Sequence, residues 1–223
     1  MIKAITLFKR KYPLTVREFQ DYWLHKHVNV ISRLPGIRRY VQNHPLPVNY
    51  AHGEPTYDGI AELWGDSTHS FRDMAADAAY ANVLADESVF LDGQSKDLMM
   101  TSEGVINDGR GPAGGVKLIE FYRRRQDMTA ADFQQYWQQH HGLLANGLVL
   151  VRRYVQSITR PGGYSNGRTP VYDAMSSMWF DSQNDLQQTM NCNLYADIMI
   201  DQTCFIDVRT RLSLICREHV LIG

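Results

Sequence analysis

Cysteine is scarce in this chain: three residues among 223, Cys192, Cys204 and Cys216, all in the C-terminal half and none in a C-x-x-C pair. An odd, unspaced set of thiols excludes a disulfide framework, and the three read as buried thiols. No apolar run approaches the roughly 20 residues that a membrane span needs. The N-terminus enters a strand-like segment, Ile2 to Phe8, without the apolar stretch and small-residue cleavage site of a secretory signal, so a cytoplasmic protein is expected. An excess of either charge is also missing. With 23 Lys and Arg against 24 Asp and Glu, the net charge near -1 supplies no field for nucleic acid, which leaves small molecules or other proteins as partners. Metal-site spacing is absent as well: His25 and His27 are two apart and His140 and His141 adjacent, and neither pair shares a helical face as i, i+4 ligands do. No haem motif accompanies His27, and neither a metal nor any other cofactor is expected.

What is present is said twice. An offset of 114 residues places Phe19, Tyr22, Trp23 and His27 on Phe133, Tyr136, Trp137 and His141, and Arg38 to Gln42 on Arg152 to Gln156. After one inserted residue the offset becomes 115, placing Tyr57, Asp58, Trp64, Tyr80, Asp86 and Phe90 on Tyr172, Asp173, Trp179, Tyr195, Asp201 and Phe205. A repeat of this length is a duplicated domain, large enough for a core of its own.

Each copy predicts the same elements. Residues 2–9 alternate as a strand, and Thr15 followed by Glu18 has the spacing of a helix capping box, with Thr129 and Asp132 as a weaker version. Phe19, Tyr22, Trp23, His27, Val30, Ile31 and Leu34 then recur at steps of three and four, the stripe that a helix lays on a sheet. Pro35 and Gly36 stop that helix. Residues 37–42 read as a second strand, 43–56 as a loop, 57–64 as a third strand, 68–85 as helical and 98–105 as a fourth strand. The order βαββαβ is the ferredoxin-like split unit. The expected class is α+β: two ferredoxin-like domains, 1–106 and 116–223, joined by a flexible Gly-rich linker at 107–115 and closing face to face into one barrel.

Three motifs, Phe19-x-x-Tyr-Trp-x-x-x-His27, Tyr57-Asp58-Gly59 running to Trp64, and Asp86-Glu-x-x-Phe-Leu-Asp92, together resemble the EthD family of the dimeric α/β barrel superfamily. The second copy is similar to a further EthD domain. The resemblance implies the fold more firmly than the chemistry, because the superfamily holds lyases, isomerases, cyclases, cofactor-free monooxygenases and haem enzymes. Some relatives are associated with ether breakdown beside an oxygenase, others with dehydration or decarboxylation of aromatic polyketides.

His27 is the leading catalytic candidate, since an imidazole titrates near neutral pH and suits general acid or base work, although a buried histidine bonded to a backbone carbonyl accounts for the same pattern. Tyr40 shares a strand face with Arg38 and Gln42, and either polarises a substrate oxygen or belongs to a polar seam. Asp58 and Glu62 share one face of the third strand with Trp64, and ion pairing with Arg38 or Arg39 competes with an acid/base role for Glu62. Phe19, Tyr22, Trp23, Asp58 and Trp64 are candidate substrate contacts, and His141, Tyr154 and Asp173 mark the second pocket. That second pocket differs: Gly59, Glu62 and Glu87 become Ala174, Ser177 and Gln202. The basic runs Lys9-Arg10-Lys11 and Arg123-Arg124-Arg125 are either solvated loops or a rim drawing an anionic substrate. The reading favoured is a cofactor-independent lyase of dehydratase or decarboxylase type, acting through His27 on a small apolar or aromatic oxygenated metabolite. The alternative is a non-enzymatic metabolite-binding or accessory protein of an oxidative pathway. A homodimer of the whole chain is compatible with both.

Overall fold

The computed structural model describes residues 1–223. Eight strands are hydrogen-bonded in the order β1-β3-β2-β8-β5-β7-β6-β4, a closed barrel, where β1 is Ile2–Phe8, β2 Arg39–Pro45, β3 Gly59–Gly65, β4 Asp97–Asn107, β5 Val116–Tyr122, β6 Arg153–Thr159, β7 Ala174–Phe180 and β8 Leu212–Ile222. The chain divides into two compact units, residues 1–100 with 218–223, and residues 101–217.

In the first unit β3 pairs antiparallel with both β1 and β2. The first helix runs Val16–Tyr22, widens into a π turn at Trp23–His27 and ends as Val28–Ile31. Its start is the capping box that the sequence predicts: Thr15 Oγ1 accepts from the Glu18 N–H at 3.2 Å, and the Glu18 carboxylate accepts from the Thr15 N–H at 2.9 Å. Phe19 and Trp23 of this helix close over Phe8 of β1 and over Phe90 and Leu91, making one aromatic core cluster. Burying each such side chain contributes about 1.5–3 kcal/mol.

Two boundaries differ from the sequence expectation. The segment read as one helix over 68–85 is two helices, Thr68–Ala76 and Tyr80–Phe90, because Asp77 adopts an extended backbone and its carboxylate accepts from the Ala79 N–H at 2.8 Å. The second strand continues three residues past Gln42, to Pro45, taking Asn43 and His44 out of the expected loop and into the sheet. A terminal proline is tolerated there because its missing N–H is not needed beyond the strand end.

The second unit repeats the pattern. β7 pairs with β5 and β6, while β4 pairs with β6 and β8 with β5. Its first helix again has three parts, Ala130–Tyr136, a π turn at Trp137–His141, and Gly142–Ala145, and packs Phe133 and Trp137 against Tyr122, Phe205 and Ile206. The Thr129 cap holds the Asp132 N–H at 3.1 Å, and the shorter Asp side chain bonds the Thr129 hydroxyl rather than its backbone N–H. The 107–115 segment, expected to be flexible, is tied by polar bonds: Asn107 to the Val151 carbonyl, Arg153 to Asp108 and the Gly109 carbonyl, and Arg217 to the Gly114 and Gly115 carbonyls. Cys216 is buried as expected, but Cys192 and Cys204 are exposed, one flanking each end of the last helix, Asn193–Gln202.

Gly59 shows how tightly the first helix sits. A Cβ there would lie 2.3 Å from the Phe8 ring and 2.9 Å from Trp23, so only glycine lets the indole reach the sheet. The second copy has Ala174 at this position, in one cluster with Tyr122 in place of Phe8 and with Trp137 in place of Trp23. Gly59→Ala should therefore destabilise the chain by about 1–3 kcal/mol through overpacking, and Ala174→Gly by less, which denaturant unfolding of the two variants checks.

Candidate active site

His27 is 3% exposed, held between the π turn and the helix Tyr80–Phe90. Its Nδ1 lies 2.7 Å from Asp86 Oδ2, and Asp86 Oδ1 accepts from the Tyr22 hydroxyl at 2.8 Å. With the carboxylate ionised, Nδ1 carries the proton and Nε2 keeps its lone pair. Burial pushes the imidazole below its usual value, while Asp86 and then Glu87 pull it back up, so the ring is a neutral base near pH 7. The ring packs 5.1 Å from Phe90.

A small hollow of about 50 Å³ lies beside it, lined by His27, Trp23, Tyr40, Phe90, Glu87 and several aliphatic side chains. That is room for one or two water molecules or one functional group, since water occupies about 30 Å³ in the liquid. Tyr40 Oη accepts from Trp23 Nε1 at 3.0 Å and from Gln42 Nε2 at 3.1 Å. Both lone pairs of that oxygen are thereby engaged, and its proton is what it has left to offer. Burial raises the Tyr40 phenol far above its ordinary value, which makes it a donor and not a base. Glu87 forms an ion pair with Lys96 at 2.6 Å.

Of the residues singled out in the sequence, the structure brings His27, Tyr22, Trp23, Phe19 and Tyr40 together on the helix-covered face of the sheet. Glu62 and Trp64 lie on the other face, where Glu62 pairs with Lys3 at 2.7 Å and Asn43 at 2.8 Å, and Trp64 stands under the Lys3 and Arg39 cations. The partner of Glu62 is thus Lys3, because antiparallel pairing sets Ile5 opposite Glu62 and keeps the next same-face residue, Lys3, within reach. Asp58 is fully buried and bonds Arg10 at 2.6 Å, Lys9 at 3.0 Å and the Tyr50 hydroxyl at 2.8 Å. Asp173 repeats this with Arg124 and Tyr164. Lys9 and Arg10 therefore spend their charge on Asp58 and Glu54, and Arg124 and Arg125 on Asp173 and Asp127, which leaves little of the expected positive rim. Asp86, absent from the sequence-based candidates, is the residue that orients His27. Its signal was present, for it recurs as Asp201 and lies one helical turn before Phe90.

The second copy keeps the dyad. His141 Nδ1 lies 2.7 Å from Asp201 Oδ2, and the Tyr136 hydroxyl donates to Asp201 Oδ1 at 2.6 Å. Its surroundings differ. Where the first copy has Thr6, Phe8 and Ala61, the second has Glu120, Tyr122 and Ser176, joined by bonds of 2.6 and 2.9 Å through the Tyr122 hydroxyl. Burial raises the Glu120 carboxyl, and Arg211, the counterpart of Lys96, lies 3.9 Å away.

Residues 11–94 and 125–209 each match the EthD domain. The chain belongs to the EthD family. In both EthD domains the matched span takes in the histidine of the π turn and its aspartate. No curated protein matches the chain in sequence. Among solved structures, an anthrone oxidase-like protein is similar at a TM-score of 0.68 and 10% identity, over 99% of this chain and 93% of that one. A provisionally assigned monooxygenase from Lactobacillus acidophilus NCFM gives 0.60 and 8%, over 98% and 94%. A chlorite dismutase variant from Candidatus Nitrospira defluvii gives 0.54 and 6%, over 99% and 92%. Identities this low speak for the fold alone.

Acid should weaken this EthD chain. His44, buried beside the first dyad, is pushed down to about 3 by burial, then by His219 and His25, and His27 and His141 are also lowered. A histidine that is harder to protonate when folded contributes stability above its unfolded value, near 6.5, and that contribution falls away toward the folded value. The melting temperature is expected to drop between about pH 6.5 and 4, and to drop less steeply in His44→Ile, as thermal unfolding across that range would show.

Proposed function

We propose that the N-terminal EthD domain is a cofactor-independent acid/base site of dehydratase or decarboxylase type, acting on a small apolar or aromatic oxygenated metabolite. The observation that carries this reading is the buried His27 with Nδ1 held by Asp86 and Nε2 left basic beside a hollow that Tyr40 also lines. Nε2 takes a proton from the substrate, and Asp86 stabilises the imidazolium that results, as a carboxylate does for an orienting histidine. Tyr40 donates its hydrogen bond to a substrate oxygen on which negative charge develops. Trp23 and Phe90 form the apolar walls. Only the reacting group of a ligand fits a hollow of about 50 Å³, and the rest of the molecule lies outside it.

That small volume gives a second reading its footing. Small-molecule sites run to about 300–1,000 Å³, so the hollow also suits a protein that grips one end of a metabolite and passes it on. The neighbours named as a monooxygenase and as anthrone oxidase-like draw attention to oxygenated aromatic compounds as ligands for either reading.

Incubation of the purified protein with oxygenated aromatic candidates, without added cofactor, separates the two: turnover supports the lyase, and saturable binding without conversion supports the accessory role. His27→Ala is expected to lower turnover by roughly 10²–10⁴-fold, the range for one positioned acid or base, while leaving the protein folded. Asp86→Asn should lower it too, through the loss of imidazolium stabilisation. A His27→Ala protein with unchanged rate would remove the dyad from the mechanism.

A further inference from the structure

Tyr40 has a counterpart in Tyr154, and the two differ in one respect that a third residue explains. Gln42 Nε2 donates to the Trp23 carbonyl at 2.8 Å and to Tyr40 Oη at 3.1 Å, and Gln156 Nε2 does the same to Trp137 and Tyr154 at 3.0 and 2.9 Å. In the first copy Gln42 Oε1 is bonded to His44 Nε2 at 2.9 Å, and the His44 ring stacks on the Trp23 indole, centroids 4.6 Å apart and planes within 6°. The second copy has Ile158 at this position. There Gln156 Oε1 is buried without a partner, and the Trp137 N–H faces Tyr154 in a poorer alignment than the Trp23 N–H has toward Tyr40.

We propose that His44 is a positioning residue of the N-terminal site: by stacking on Trp23 and bonding Gln42 it holds two donors on the Tyr40 oxygen, so that Tyr40 can only donate, and the ligand must present an accepting oxygen there. This rests on the reading of the His27 hollow as the ligand site. The chemistry follows from counting. A tyrosine hydroxyl has two lone pairs and one proton. When Trp23 and Gln42 fill both lone pairs, a ligand hydroxyl cannot donate to Tyr40, and the ligand atom there must accept: a carbonyl, ether or phenolate oxygen, or a hydroxyl whose own proton goes elsewhere. Tyr154 accepts well from Gln156 and only weakly from Trp137, so the second copy imposes that selection less strictly. Both bonds to Tyr40 also favour its ionised form and so strengthen it as a donor, against the opposing effect of burial.

The test exchanges the two residues. His44→Ile should give the first copy the pattern of the second: hydrogen exchange at the Trp23 indole N–H, followed by ¹H–¹⁵N spectra of the four tryptophans, accelerates at least about tenfold as its bond to Tyr40 is lost. Ile158→His should slow exchange at Trp137 and shift its resonance downfield. With a substrate in hand, His44→Ile lowers kcat with KM little changed, and adds no further loss in a Tyr40→Phe background, because it acts through that hydroxyl. A folded His44→Ile protein whose Trp23 resonance and exchange rate match wild type overturns the proposal. If that variant does not fold, Ile158→His decides alone, and unaltered Trp137 exchange overturns it. Wild-type protein that converts no compound overturns the acid/base reading, while the indole measurements still decide the role of His44.

Discussion

An imidazole buried under a helix needs a partner, and the bond from His27 to Asp86 is the constraint around which each domain is arranged. Removing a polar ring from water costs free energy unless its hydrogen bonds are replaced. Asp86 replaces one of them from a different helix, and its other oxygen takes the Tyr22 hydroxyl, so a single carboxylate fastens two turns of the first helix to Tyr80–Phe90. The π turn is where the chain reaches this geometry, and it recurs around His141 with the same histidine–aspartate distance of 2.7 Å. Because the dyad anchors packing in both copies, its duplication alone does not mark both as active. The dyad is a structural necessity that one copy is free to use for chemistry.

What separates the copies is where the carboxylate stands. In the first, Glu87 on the helix pairs with Lys96 at 2.6 Å, and the strand beneath offers Thr6 and Ala61. In the second the helix carries Gln202 and the strand carries Glu120, with Arg211 bonded to Gln202 at 3.1 Å and lying 3.9 Å from Glu120. Each copy retains one acid and one cation, and the first leaves a hollow between sheet and helix beside His27. In the second, Glu120, Tyr122 and Ser176 bond to one another in that layer.

The doubled pattern made the fold legible. Thr15 with Glu18 and the stripe from Phe19 to Leu34 each announced local structure through propensity and spacing, and each is found. His27, Trp23 and Tyr40 were legible as site residues for the same reason, since period and recurrence put them on one face. Asp86 was not, although it recurs, because its distance from His27 in sequence hides a contact made between helices. Glu62 misled on its partner: strand alternation correctly set it on one face with Trp64, but Lys3, rather than Arg38 or Arg39, reaches it through a strand register that composition does not reveal. His44 was lost to the prolines around it. Pro45 and Pro47 read as a loop, whereas a strand can end on a proline, and the residue just before that end is the one that stacks on the indole.

The size of the hollow then bears on chemistry more than any single residue does. A volume near 50 Å³ admits a carbonyl or a carboxyl but not an aromatic ring, so the space beside His27 and Tyr40 is that of one functional group. Within so small and apolar a space a hydrogen bond from Tyr40 is stronger than in water, because the effective dielectric is low. A neutral imidazole is also the better choice there, since a permanent charge would have to be desolvated on every turnover. Burial lowers His27, and its bond to Asp86 offsets part of that effect. The opposition of these two effects on one ring, packed against Phe90 and bonded to Asp86, keeps His27 neutral in the layer between sheet and helix.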